Sequence, residues 1–72
     1  MNRLRARFGF TKTEAEVAVA LVEGLSYDEI ARKLGVSYHT VHTHIKAIHT
    51  KAAVATTGRL IALIRGALDV QT

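Results

Sequence analysis

The chain contains no cysteine and no proline. The first absence excludes disulfides, thiolate metal sites and thiol catalysis. The second means that no proline interrupts a run of helices. Long apolar runs are missing as well. The longest, Val17 to Val22, falls far short of the roughly 20 residues that a bilayer-spanning helix needs. Residues 1–5 lack the apolar core of a signal peptide. A cytoplasmic protein that does not enter the membrane is therefore expected. Acid is absent from a whole stretch: no Asp or Glu occurs between Glu29 and Asp69. No glycine elbow surrounds a serine and no phosphate-binding glycine loop is present. Neither an enzyme nor a cofactor is expected.

What remains suits a single small all-α domain. With 72 residues and 49% hydrophobic content, the chain can pack a core. That core is marginal in size, and a partner would add stability. The net charge is only +4, but its layout matters more. The acid-free stretch carries Arg32, Lys33, Lys46, Lys51, Arg59, Arg65 and all four histidines, while Glu14, Glu16, Glu23, Asp28 and Glu29 sit before it. Such asymmetry provides a positive face suited to phosphates.

The most informative segment is SYDEIARKLGVSYHTVHTHIK, residues 26–46. Tyr27, Ile30, Ala31 and Leu34 form the i, i+3, i+4, i+7 stripe of a helix with one buried face. Gly35 ends that helix in a conformation with positive φ. Val36 is expected to plug the corner, and Ser37 to cap the next helix. That helix would bury Val41, Ile45 and Ile48, and the small Ala31 lets the two helices approach closely. This is the pattern of a helix-turn-helix, whose second helix is presented to the DNA major groove.

Flanking helices follow from local signals. Thr11-Lys12-Thr13-Glu14 and Ser26-Tyr27-Asp28-Glu29 are capping boxes. The first starts a helix that runs to about Glu23, buries Val17, Ala20 and Leu21 and stops at Gly24, with Phe10 stapling its entry. A last helix, capped by Thr56 or Thr57, carries Leu60, Ile61, Leu63, Ile64 and Leu68. Residues 1–9, with Arg3, Arg5 and Arg7, read as a basic linker, an arm or a first turn of helix. Residues 10–68 form the domain and 69–72 a tail. The expected architecture is a compact four-helix fold, the helix-turn-helix being its second and third helices.

The third of these helices, about 38–53, divides by periodicity. Val41, Ile45, Ile48 and Ala52 share the core side. His39, His42, Thr43, Lys46, His49 and Thr50 share the other side, which has no aliphatic residue and no acid. Lys46 can donate to guanine O6 or N7. The Thr43 methyl can meet a thymine methyl, and His42 can donate or accept according to tautomer. Ser37, Tyr38 and Thr40 stand at the helix start, where hydroxyls and free amides suit a phosphate. His44 lies at the edge of the buried side, as a packed residue or a phosphate contact. Lys51, on the flank, would meet phosphate at most. His39 and His42 are an i, i+3 pair, but His49 lies on the order of 10 Å beyond His42. No compact three-ligand metal set emerges.

Several blocks in order, Phe10-Thr11-x-x-Glu14, Gly24-Leu25-Ser26-x-x-Glu29-Ile30-Ala31, Leu34-Gly35-Val36-Ser37-x-x-Thr40-Val41-x-x-His44 and Ile48-x-x-Lys51, resemble the LuxR-type (NarL/FixJ, GerE-like) DNA-binding domain of bacterial transcription regulators. The resemblance covers about residues 8–66. It implies sequence-specific binding to double-stranded DNA in the bacterial nucleoid and transcription control. It also implies base contacts from His42, Thr43 and Lys46, joined by His39 on the same face, and backbone contacts from Ser37, Tyr38, Thr40, His44 and Lys51. The last helix becomes a dimerisation surface, with Gly58, Ile61, Ala62 and Arg65 outward and a weak homodimer for the isolated domain. RNA polymerase is a further partner to be expected. Family members usually carry this domain behind a receiver or ligand-sensing domain, so the chain reads as a C-terminal effector domain or a free-standing short regulator. Ala52 and Gly58 depart from the bulkier residues usual at those positions and trim apolar contact near the last helix. A promoter-recognition segment like sigma region 4 and a helical protein-interaction module are the competing readings.

Overall fold

The computed structural model describes residues 2–69, with side chains from Leu4 to Leu68. Residues 70–72, most of the expected tail, lie outside the described residues. Five helices follow in order: α1 (Asn2–Phe8), α2 (Lys12–Val22), α3 (Tyr27–Leu34), α4 (Tyr38–Ala52) and α5 (Thr57–Asp69). Among the described residues there is no strand, and no helix is long and apolar enough to cross a membrane. α2 through α5 are the four expected helices. α1 is an addition where an arm or linker was one expectation. Its physical basis is Leu4, which is 1% exposed although it is set among arginines, and the helix closes on Gly9, whose N–H donates to the Arg5 carbonyl at 2.8 Å.

Local chemistry starts and stops the elements. Both capping boxes are formed: the Thr11 and Ser26 hydroxyls accept from the Glu14 and Glu29 N–H groups, and the two carboxylates accept from the cap N–H groups in return. Gly24 (φ 90°) and Gly35 (φ 69°) end α2 and α3 in the left-handed region. There the Leu25 and Val36 N–H groups reach back to the Ala20 and Ala31 carbonyls, at 3.1 and 3.0 Å, in the closing pattern that favours glycine. α4 ends the same way without glycine. Ala53 adopts φ 57°, and the Val54 N–H donates to the His49 carbonyl at 3.0 Å.

α2 packs against both α4 and α5, and α3 packs against α4. The core joins Val17, Ala20 and Leu21 of α2, Ile30 and Ala31 of α3, Val41, Ile45, Ile48 and Ala52 of α4, and Leu60 and Ile64 of α5. Phe10 is buried and stacks on Phe8 with ring centroids 5.1 Å apart. Val36 does not plug the turn. It is 38% exposed.

One ion pair joins the ends of two helices. Glu14 is 6% exposed, and its Oε1 accepts from the Thr11 N–H at 2.8 Å and from Lys51 Nζ at 2.6 Å. Burial pushes the Glu14 carboxyl up. The Lys51 hydrogen bond, the Thr11 N–H and the Lys51 charge together outweigh it and hold the group below its ordinary value. A carboxyl lowered on folding adds stability above its unfolded pKa, and that stability is lost as pH falls through the folded one. Lys51→Met is expected to cost about 2 kcal/mol at neutral pH. This is less than the roughly 3–5 kcal/mol for breaking a fully buried pair, because the Lys51 side chain is 35% exposed. The gap between wild type and variant should narrow as pH drops from about 5 to about 3, read by urea unfolding. Ala53→Gly should stabilise the protein by up to about 1 kcal/mol, since an L-residue in this conformation costs roughly 1–2 kcal/mol and glycine's extra chain entropy offsets part of the gain. Thermal unfolding of the variant checks this.

Candidate nucleic-acid interface

α4 is the second helix of the turn motif, and its sequence forms the surface in three strips. Val41, Ile45, Ile48 and Ala52 are buried. His39, His42, Thr43, Lys46 and Thr50 are exposed. His44 is half-buried on one flank and His49 on the other. α4 contains no acidic residue. The expected reading face is thus brought to one exposed surface, except for His49, whose ring turns toward α5: its Nε2 lies 3.3 Å from Thr57 Oγ1.

The hydroxyls of this face are partly committed. Thr43 Oγ1 donates to the His39 carbonyl at 3.1 Å, and Thr50 Oγ1 donates to the Lys46 carbonyl at 3.2 Å. With its proton engaged, Thr43 offers an oxygen lone pair and a methyl group and does not offer a donor. His42 sits beside the Tyr27 ring of α3, centroids 6.4 Å apart. Lys46 is exposed and, among the described residues, has no ion-pair partner.

At the start of α4, Ser37 caps the helix. Its Oγ accepts from the Thr40 N–H at 3.1 Å and meets Thr40 Oγ1 at 2.9 Å. The Tyr38 and His39 amides belong to the first turn, where a helix supplies no acceptor of its own. Tyr38 is 52% exposed and tilts against Tyr27 with centroids 5.7 Å apart. This end presents amides, a phenol and hydroxyls, a set that suits an anion.

Two of the cations in the acid-free stretch are paired. Lys51 is held by Glu14, and Lys33 Nζ lies 3.7 Å from Glu23 Oε1 in an exposed pair. The Lys51 pairing is not visible in a periodicity argument, since its partner is 37 residues away. Among the described residues, no three histidines or carboxylates gather as a metal set.

On α5, Gly58, Ala62 and Arg65 are exposed as the dimerisation reading requires. Arg65 Nη2 reaches the Val22 carbonyl at 3.4 Å. Ile61 is half-buried, packed against the core, and lines an open apolar groove with Leu21, Leu25 and Tyr27.

A family model, GerE, described as bacterial regulatory proteins of the luxR family, matches residues 9–63. That span runs from the turn before α2 into the middle of α5 and contains every residue of the α4 surface. No curated protein and no solved structure matches the chain. Membership supports DNA-binding transcription regulation. By its helix-turn-helix and by the extent of this match, the chain belongs to the luxR family of bacterial regulatory proteins.

Proposed function

We propose that the chain reads double-stranded DNA by placing α4 in the major groove, and that two copies pair through α5. The carrying observation is the exposed strip His39, His42, Thr43, Lys46 and Thr50, opposite a fully buried Val41, Ile45 and Ile48, on a helix with no acid. Lys46 takes the base-edge role, His42 and His39 flank it, and Thr43 supplies a methyl and an acceptor. Ser37, Tyr38, Thr40 and His44 hold the phosphate backbone. In this reading Lys51 acts through Glu14 by holding α4 across α2, and its contribution to phosphate binding is correspondingly small. The effector role follows the family resemblance: this is the DNA-binding part of a sensor or response regulator.

Selection of bound fragments from a random DNA pool supplies the site, and variants of that site test the geometry. Lys46→Ala is expected to change the rank order of single-base variants at one base pair, by about 1–3 kcal/mol. Quantitative binding to that panel decides it. An unchanged rank order would place α4 outside the groove.

The α5 surface is small against the roughly 1,200–2,000 Å² of a stable interface, so pairing depends on the DNA. Ala62 is the cleaner probe, because Ile61 also packs against the core. Ala62→Glu should weaken binding to a paired site by more than binding to a half site. Equal losses in a titration of both would exclude α5 as the contact.

A further inference from the structure

A chain of hydroxyl and imidazole groups crosses three helices beside the reading face. Tyr27 opens α3, Thr57 opens α5, and His49 lies toward the end of α4; all three are half-buried. The Tyr27 hydroxyl is 3.3 Å from Thr57 Oγ1, and Thr57 Oγ1 is 3.3 Å from His49 Nε2. Thr57 is available for this because Thr56 caps α5, its Oγ1 accepting from the Arg59 N–H at 3.1 Å. The Tyr27 ring also stands beside His42, with centroids 6.4 Å apart.

The direction of the chain follows from proton accounting. Each hydroxyl has one proton, and the neutral imidazole has one ring N–H and one bare nitrogen. A phenol, with a pKa near about 10, is a better donor than an alcohol. A bare imidazole nitrogen is a better acceptor than a hydroxyl oxygen. Each proton finds the best acceptor when Tyr27 donates to Thr57 and Thr57 donates to His49 Nε2. The ring proton of His49 then sits on Nδ1.

We infer that Thr57 is a positioning residue for the DNA-reading helix, holding His49 in its Nδ1–H tautomer and tying the roll of α4 to α3 and α5. The apolar contacts of Val41, Ile45 and Ile48 tolerate small rotations of α4, whereas a hydrogen bond at its flank is directional. The consequence for recognition rests on the reading of α4 as the base-contacting helix. The tautomer does not, because it belongs to the free protein.

Two-bond proton–nitrogen correlation spectra of the free protein, at a pH where His49 is neutral, report the tautomer. Wild type and Thr57→Ser should show Nδ1–H, and Thr57→Val should move toward Nε2–H, the form an unconstrained histidine side chain favours. On the selected DNA site, Thr57→Val should bind about two- to fivefold more weakly, the lower part of the range for one hydrogen bond, since both contacts are long for hydroxyl donors. Thr57→Ser should restore binding, and non-specific affinity should stay unchanged. Urea unfolding of each variant gives the folded fraction, against which affinities are normalised. An Nε2–H wild type, or a tautomer indifferent to Thr57→Val, overturns the inference. So does a tautomer shift with no loss on the selected site, or an equal loss on all DNA. A wild type with no sequence preference at all would overturn the groove reading and the positioning role together, while leaving the tautomer result as measured.

Discussion

The pose of α4 depends on the carboxylate of Glu14. One oxygen closes the first turn of α2 by accepting from Thr11 and also takes the Lys51 ammonium from the last turn of α4. The start of α2 is thereby fixed to the end of α4. The other end of α4 is set by the turn from α3, where Gly35 adopts positive φ and Ser37 caps. Both ends are thus held, the Thr57 contact on the flank restrains the remaining roll, and the polar strip faces outward. A buried pair of this kind contributes little net stability against an apolar replacement. What it supplies is orientation, since an apolar side chain would fill the space without specifying where α4 lies.

That division between packing and orientation suits so small a core. Five of the buried apolar residues are alanines, Ala15, Ala18, Ala20, Ala31 and Ala52. Alanines let the helix axes approach closely but bury little area each, so shape complementarity alone specifies the arrangement weakly. Directional bonds complete it. Two capping boxes, the Ser37 and Thr56 caps and the reverse bonds after Gly24, Gly35 and Ala53 each fix where an element begins or ends. Leu4 of α1 extends the same core.

The parts of this fold that are legible in the sequence are those whose partners lie within a few residues. Thr11 and Glu14, Ser26 and Glu29, and the helix stripes of Ile30 and Ala31 or Val41, Ile45 and Ile48 all declare themselves by spacing. α1 does not, because one i, i+4 pair, Leu4 and Phe8, among arginines is too short to establish a period. The end of α4 at about residue 53 is legible, but its left-handed cap is not, because Ala53 takes a conformation usually marked by glycine. Neighbouring Thr56 and Thr57 are equivalent as caps on paper. Only the fold shows Thr56 capping and Thr57 turned to Tyr27 and His49. Periodicity also puts His49 on the open face and treats Lys51 as a free cation. Both are redirected by partners, Thr57 and Glu14, that a helical wheel of α4 does not contain. In the candidate site, the side of the helix on which a residue lies is therefore largely readable, whereas the distant partners that redirect Lys51 and His49 are not.

The redirected residues change the electrostatic character of the surface. A basic half-chain suggests binding dominated by phosphate neutralisation. Yet Lys51 and Lys33 each face a carboxylate, and α4 keeps Lys46 as its exposed cation without an ion-pair partner among the described residues. Each phosphate neutralised contributes about −0.9 to the salt slope, and besides Lys46 the exposed Arg32 and Arg59, without an ion-pair partner among the described residues, can add to it. The remaining groups on the strip, two imidazoles, a threonine methyl and a lysine, are directional or shape-selective, and they favour discrimination over raw affinity. In the proposed reading a second copy doubles these contacts. Linking two such readings raises affinity through effective concentration without any new base contact, which is the physical reason for a second copy in the proposed reading.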